Sequence, residues 1–206
     1  VPASLKSRRI ADDVIEIACE SPPEAQALAQ GLREAGLAEE VVAGLACVAI
    51  RFHPSNAARL DAFLAGMGKV AALPQSQGEP VVIPLRYGGA DGPDLQRVSD
   101  GLGLSADAFV DLHSGCEHTV DLMGFTPGFS YISGLPGTFR VPRLDQPRPR
   151  VPAGSVGVSV AFTGIYALPG PGGWPLIGRT DTQLFTPGSE APFLLSPGQK
   201  LTFRPV

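Results

Sequence analysis

Apolar and polar positions alternate in "DVIEIAC" (Asp13–Cys19), the period of a half-buried strand. The period then changes. "SPPE" (Ser21–Glu24) reads as a capping box with Pro22 at the first helical position. Ala25, Leu28, Ala29 and Leu32 recur on one helical face, and Gly36 ends the run. "LACVAIRF" (Leu45–Phe52) predicts a largely buried strand, and Ser55 caps a second helix carrying Leu60, Phe63, Leu64 and Met67. "VVIPLRY" (Val81–Tyr87) predicts another strand, which Pro84 places at a sheet edge or strand end. Strands alternating with helices predict a small α/β layer. Asp91-Gly92-Pro93 opens a short helix with Leu95, Val98 and Leu102 on one face. Ser105 caps another that reaches Leu112 and His113.

Beyond about Val120 the pattern is different. Between Gly124 and Gly178, 20 of 55 residues are Gly or Pro, without the three-residue repeat of collagen. "SVGVSVAFTGIY" places Val156, Val158, Val160 and Phe162 on one face and Gly157, Ser159, Ala161 and Thr163 on the other, a period of two. "SPGQKLTF" sets Pro197-Gly198 for a type II turn before a closing strand. Short strands joined by such turns predict a β-barrel or sandwich. The division falls near residue 87, giving an N-terminal α/β domain over 1–87 and a β domain over 88–206.

A chain of 206 residues with 44% apolar content fits this two-domain division. No apolar run approaches the ~18 residues of a membrane span, and the first residues lack a signal-peptide pattern. A cytoplasmic protein with no membrane partner is expected. The net charge of −4 argues against general nucleic-acid binding. Charge is uneven, however. From Leu122 to Thr180, Arg140, Arg143, Arg148, Arg150 and Arg179 face one acid, Asp145, so the segment carries +4 and the rest of the chain −8. A basic rim that holds an anion or an acidic partner is one reading; arginines that tie loop carbonyls are the other. Cys19, Cys47 and Cys116 are widely spaced and predict reduced thiols.

Short catalytic motifs do not fit. "GMGKV" (Gly66–Val70) lacks the spacing and hydroxyl of a P-loop, and "GPGGWPLIG" cannot open a helix on Trp174-Pro175. Ser155 in "AGSVG" misses the nucleophile-elbow spacing. "DLHSGCEH" gathers Asp111, His113, Cys116, Glu117 and His118, but in no standard zinc pattern, so no metal is expected. "GFTPGFSYISG" (Gly124–Gly134) sets Phe125, Phe129 and Tyr131 on a backbone stiffened by Gly and Pro. Such a loop serves either a pre-built pocket or the barrel core.

"GFTPGFSYISGLP", "PRLDQPRPRVPAGSVGV" and "TGIYALPGPGGWPLIGRT" resemble, in order, blocks of one bacterial family. It is known as allophanate hydrolase subunit 1, Kip-type kinase inhibitor or the B-type subunit of 5-oxoprolinase (carboxyltransferase domain, subdomain C and D). "YGGADGPDLQRVSDGLGLS" and "LHSG" are similar to its preceding segment, so the likeness runs from Tyr87 to Phe185. His118 stands where the family usually carries tyrosine. The resemblance implies an α+β chain, with a small N-terminal α/β domain followed by a cyclophilin-like β-barrel. It implies a partner that shares the active cleft, of the allophanate hydrolase subunit 2 type or the type of the C-subunit in 5-oxoprolinase. It implies no cofactor held by this chain alone, with ATP used in the assembled complex. The expected activity is hydrolysis of a small amide, 5-oxoproline or allophanate. The alternatives are a urea carboxylase-like carboxyltransferase component, or an inhibitor of a sensor histidine kinase. By residue type, His113, Arg148 and Ser155 are the catalytic candidates. Phe129, Tyr131, Arg143, Arg150, Trp174 and Arg179 are the substrate-binding candidates.

Overall fold

The structure, a computed structural model, describes residues 6–66 and 79–206. Met67, and with it the Met67–Val70 part of "GMGKV", lies outside the described residues. The chain forms two compact units, Val1–Gln75 and Ser76–Val206.

The first unit is an antiparallel sheet with helices. Strands β1 (Ser7–Ala11), β2 (Val14–Ala18), β3 (Glu40–Ala43) and β4 (Cys47–Arg51) lie in the order β1-β2-β4-β3. The alternation in β2 buries Ile15 and Ile17, which oppose Ile50 and Val48 of β4. Helix α1 (Pro22–Ala35) begins at Ser21, whose hydroxyl accepts from the Glu24 N–H at 3.4 Å. The Glu24 carboxylate accepts from the Glu20 N–H at 2.6 Å, one residue before the cap. Gly36 ends the helix at φ 64, a left-handed conformation that costs glycine nothing. The predicted stripe Ala25, Leu28, Ala29 and Leu32 is fully buried. Each leucine in it contributes about 1.5–3 kcal/mol of transfer free energy. Leu60 of α2 (Ala57–Gly66) joins the same core. Every residue of β1 is exposed, so it carries no apolar signal; β1 and β3 are found only in the structure.

The second unit is a closed barrel of order β10-β7-β6-β13-β5-β12-β9. Its strands are β5 (Val81–Tyr87), β6 (His118–Met123), β7 (Ser130–Ser133), β9 (Ser155–Ser159), β10 (Phe162–Ile165), β12 (Leu176–Arg179) and β13 (Lys200–Pro205). A two-stranded ribbon, β8 (Arg148–Val151) with β11 (Gly170–Gly172), lies outside this ring. Helices α3 (Leu95–Gly101) and α4 (Ala106–Gly115) add Leu95, Val98 and Phe109 to the barrel core. Ser105 caps α4 as predicted, accepting from the Ala108 N–H at 3.1 Å. The α+β class is as expected.

Three expectations are corrected. The division lies between Gln75 and Ser76 rather than at 87, because β5 pairs with barrel strands. Its ladder with β13 is parallel, Val81 opposite Leu201 through Leu85 opposite Pro205. Pro84 is therefore inside a closed barrel, not at an edge. It is tolerated because β12 pairs with β5 only at Arg86 and Tyr87, so no strand lies against Pro84 on that side. Last, "SVGVSVAFTGIY" is not one strand but the hairpin β9–β10, folded at Val160-Ala161. Val160 takes φ 55 and is half exposed, a left-handed turn position held by a β-branched residue. All of β9 is buried, so its period of two marks no solvent face. Among the described residues, no helix is long and apolar enough to cross a membrane.

Candidate functional site

The loop before β7 is built by short backbone hydrogen bonds. Thr126 N donates to Gly124 O at 2.9 Å, Phe129 N to Thr126 O at 3.0 Å, and Gly124 N to Phe129 O at 3.1 Å. Gly128 stands at φ 79, and a methyl group there would meet the Cβ atoms of Ala167 and Phe185. The loop is thus pinned onto its neighbours, and the aromatic rings follow. Phe129, only 2% exposed, has four rings edge-on to it: Phe125 at 5.5 Å, Tyr131 at 5.0 Å, Tyr166 at 5.0 Å and Trp174 at 5.8 Å. Gly164 of β10 permits this packing, since a methyl group there would strike both Trp174 and Phe129. Edge-to-face pairs of this kind stabilise by roughly 0.5–1.5 kcal/mol each beyond the area they bury.

The rings line an open cleft of about 250 Å³, together with Arg143, Pro147 and the bare backbone of Gly172 and Gly173. Phe125 stands at its lip, 63% exposed and at φ 70. A bulky residue in that conformation is strained. Arg143 has no ion pair or hydrogen bond among the described residues, so its guanidinium is available to a ligand. Burial pushes the Tyr166 phenol up, opposed by the Trp174 backbone N–H and the Arg143 and Arg148 charges. It therefore stays protonated at neutral pH and can donate a hydrogen bond into the cleft.

Of the expected site residues, Phe129, Tyr131, Arg143 and Trp174 converge on this cleft. Tyr166 joins them and was missed; as the residue closing "TGIY" it read only as a strand end. The other candidates go elsewhere. His113 has no exposed surface. Its Nδ1 lies 2.6 Å from the Tyr87 hydroxyl and its Nε2 3.0 Å from Thr163 Oγ1. Burial, with His118 beside it, drives its pKa well below the ordinary imidazole value. The catalytic candidate His113 is thus a neutral, enclosed ring with a hydroxyl at each nitrogen, and it does not line the cleft. Ser155 is 2% exposed within β9 and does not line the cleft.

Of the two readings of the five arginines, loop-tying holds for some of them, while the Arg143 and Arg148 charges both bear on the Tyr166 phenol at the cleft. Arg148 pairs with Asp94 at 3.0 Å, while the other Asp94 oxygen accepts from Leu176 N at 2.6 Å. Its Nη1 is buried without a partner among the described residues. Arg150 is exposed on β8 and lies outside the cleft lining. Arg179 donates to Ala153 O at 3.1 Å and lines a separate cavity with Thr180 to Leu184. Arg140 is bound to the Gly137 and Phe139 carbonyls. Several of these side chains thus tie loops or neighbours, while Arg143 faces the cleft unpaired. The two histidines of "DLHSGCEH" pack together in the core, with ring centroids 5.0 Å apart. His118 Nε2 sits 2.8 Å from the His113 carbonyl in the core. Among the described residues, no group of three or more His, Cys, Asp or Glu is placed to hold a metal ion.

Comparisons with known proteins place the chain in a family. The profile of the carboxyltransferase domain, subdomain C and D, matches residues 10–195. The chain belongs to that family. It is 39% identical over 180 residues to the B-subunit of 5-oxoprolinase from Escherichia coli O157:H7, covering 86% of this chain and 83% of that protein. With the corresponding 5-oxoprolinase B-subunit of Bacillus subtilis (strain 168) the identity is 43%, over 60% of this chain and 51% of that protein. Among solved structures, TTHA0988 superposes with a TM-score of 0.79 at 34% identity. The match covers 98% of this chain but only 41% of that one. PH0987 from Pyrococcus horikoshii, at 31% identity and a TM-score of 0.60, is covered nearly end to end, 98% of this chain and 97% of that one. The Kluyveromyces lactis urea carboxylase shares the fold, with a TM-score of 0.75 at 18% identity over 98% of this chain and 22% of that one.

Proposed function

We propose that this chain is the B-type component of a multi-subunit 5-oxoprolinase, and that its aromatic cleft forms one wall of a site completed by a second polypeptide. The observation that carries the reading is the cleft itself, a rigid slot of rings beside an unpaired guanidinium. 5-Oxoproline is a flat five-membered lactam bearing one carboxylate. Trp174 and Tyr131, with ring centroids 5.7 Å apart, offer apolar surface to the lactam ring, and Arg143 suits the carboxylate. The Tyr166 phenol supplies a donor for the lactam oxygen. Identity to two proteins named as 5-oxoprolinase B-subunits supports this substrate class over urea or allophanate.

The reaction adds one water across the lactam C–N bond, leaving a carboxylate and an amine, and in the assembled complex it is coupled to ATP hydrolysis, in which a second water takes the γ-phosphoryl group to give ADP and phosphate. The residues of this chain bind and orient the substrate; the groups that break the bond come from the partner polypeptide. The test is co-expression with a partner subunit of the C-type of 5-oxoprolinase. ATP-dependent consumption of 5-oxoproline, urea and allophanate is then assayed in parallel. Release of glutamate from 5-oxoproline alone is expected. Turnover of urea or allophanate instead would reassign the substrate. A complex inert toward all three, with tight binding of a sensor kinase by this chain, would overturn the enzymatic reading.

A further inference from the structure

A second cavity, of about 230 Å³, opens on another part of the barrel unit. Arg97, Val98, Gly101 and Leu102 of α3 and the turn after it form one side; Arg140, Val141, Pro142 and Pro175 form the other. Val98 and Val141 are each 4% exposed, so the floor is firm and apolar. The two charged side chains in the lining are both arginines, and no carboxylate lines it. Arg97 has no ion pair or hydrogen bond among the described residues. Arg140 is held in place by its Nη1, which donates to Gly137 O at 2.5 Å and Phe139 O at 2.6 Å. Its Nε and Nη2 have no hydrogen bond among the described residues.

We infer that this cavity is a binding site for a short aliphatic carboxylate. The guanidinium groups match the planar carboxylate fork, and the valines, Leu102 and prolines take the aliphatic body. Two like charges without a counter-charge disfavour a neutral or cationic occupant. The volume falls below the roughly 300–1,000 Å³ of drug-sized sites, so the ligand is metabolite-sized. This site is separate from the aromatic cleft, although the two meet at one backbone step. Trp174 lines the cleft and Pro175 lines this cavity. Asp94, which leads into α3, also binds Leu176 N and Arg148, so α3 and the strand after Trp174 are tied together.

The test is calorimetric titration of the full chain with butyrate, with butyramide as the uncharged match. Saturable butyrate binding is expected, weakened about tenfold or more by Arg97→Gln and by replacement with butyramide. Gly101→Leu should abolish it by filling the cavity. A β-carbon at Gly101 meets nothing within 4 Å, and an unfolding curve matching the parent's checks that the variant folds. Arg143→Gln, in the aromatic cleft, should leave butyrate binding unchanged. The proposal is overturned by any of three results: no saturable binding into the millimolar range, equal affinity for butyramide, or binding lost in Arg143→Gln but kept in Arg97→Gln. None of these readouts depends on oxoprolinase turnover.

Discussion

The barrel unit holds two aromatic clusters that carry polar groups, and they differ in one respect. The inner one, Tyr87, Phe109, His113, His118 and Phe203, is enclosed; each His113 nitrogen has a hydroxyl partner, and the single N–H of neutral His118 has a backbone carbonyl to donate to. The outer one, Phe125, Phe129, Tyr131, Tyr166 and Trp174, is open and faces an unpaired arginine. By residue type the inner cluster looks the more catalytic, since it contains two histidines. By hydrogen-bond satisfaction it is the structural one. A group whose donors and acceptors are already matched has nothing to offer a ligand, whereas an unmatched group on an open wall does.

The largest effect that would break this contrast is at His113. Tyr87, whose proton is held on by burial far above neutral pH, and Thr163 place a hydroxyl at each ring nitrogen, and in the neutral ring one nitrogen donates and the other accepts. His113→Ala removes a packed ring and strands two hydroxyls, at a cost of about 3–5 kcal/mol in urea unfolding. Normal stability with abolished turnover would move His113 into the chemistry. The pH dependence has a definite sign. Burial lowers the pKa of both His113 and His118 from 6.5, so below that value the unfolded chain takes up protons that the folded chain refuses. Stability is therefore full above the ordinary imidazole range. It is lost as pH falls through that range, by up to about 1.4 kcal/mol per pH unit for each ring. His113→Ala should flatten that slope.

Next in size is Asp94→Ala, which frees Arg148 and the Leu176 N–H at once. A loss of about 2–3 kcal/mol is expected, at the lower end because the Arg148 side chain retains solvent contact. Fluorescence of the single tryptophan, Trp174, should shift as well, since Leu176 follows it by two residues. An unshifted spectrum would mean that the clamp does not reach the cleft.

Features written in a few adjacent residues were legible in the sequence; those made by distant pairing were not. Ser21, Gly36 and Ser105 sit at the helix ends they signal, because caps are local hydrogen bonds. The strand from Val81 went to the wrong unit because its partner is the last strand of the chain. The hairpin turn at Val160 carries no Gly or Asn to announce it. At the cleft, rings beside Gly and Pro pointed to Phe129, Tyr131 and Trp174, because such a backbone is needed for rings to approach closely. The arginines could not be placed the same way. A long side chain takes its partner from the tertiary fold, and Arg143, Arg148 and Arg179 found three different surroundings.

Arg143→Gln sharpens the contrast from the open side. Its unfolding free energy should stay within about 0.5 kcal/mol of the parent, as for an exposed residue without partners. Affinity of the assembled complex for 5-oxoproline should fall by roughly 10–100-fold, the worth of one charge-assisted contact. Titration of Trp174 fluorescence with 5-oxoproline measures this directly. Equal affinity in parent and variant would remove Arg143 from the binding wall.

The smallest effect in stability is at Phe125, where the argument turns on sign. Its backbone sits at φ 70, which costs a bulky residue about 1–2 kcal/mol. Phe125→Asn relieves most of that strain, because asparagine enters the left-handed region readily. It also gives up the ring contact with Phe129 at 5.5 Å, worth about 0.5–1.5 kcal/mol. The two terms nearly cancel, so the unfolding free energy should be unchanged or slightly higher. Ligand affinity should move the other way, because the ring at the cleft lip is gone. A residue kept strained and exposed where a polar one would fold as well is explained by what it touches when a ligand is bound. If Phe125→Asn loses stability and leaves 5-oxoproline affinity intact, the ring belongs to the packing around Phe129 and the cleft ends one residue sooner.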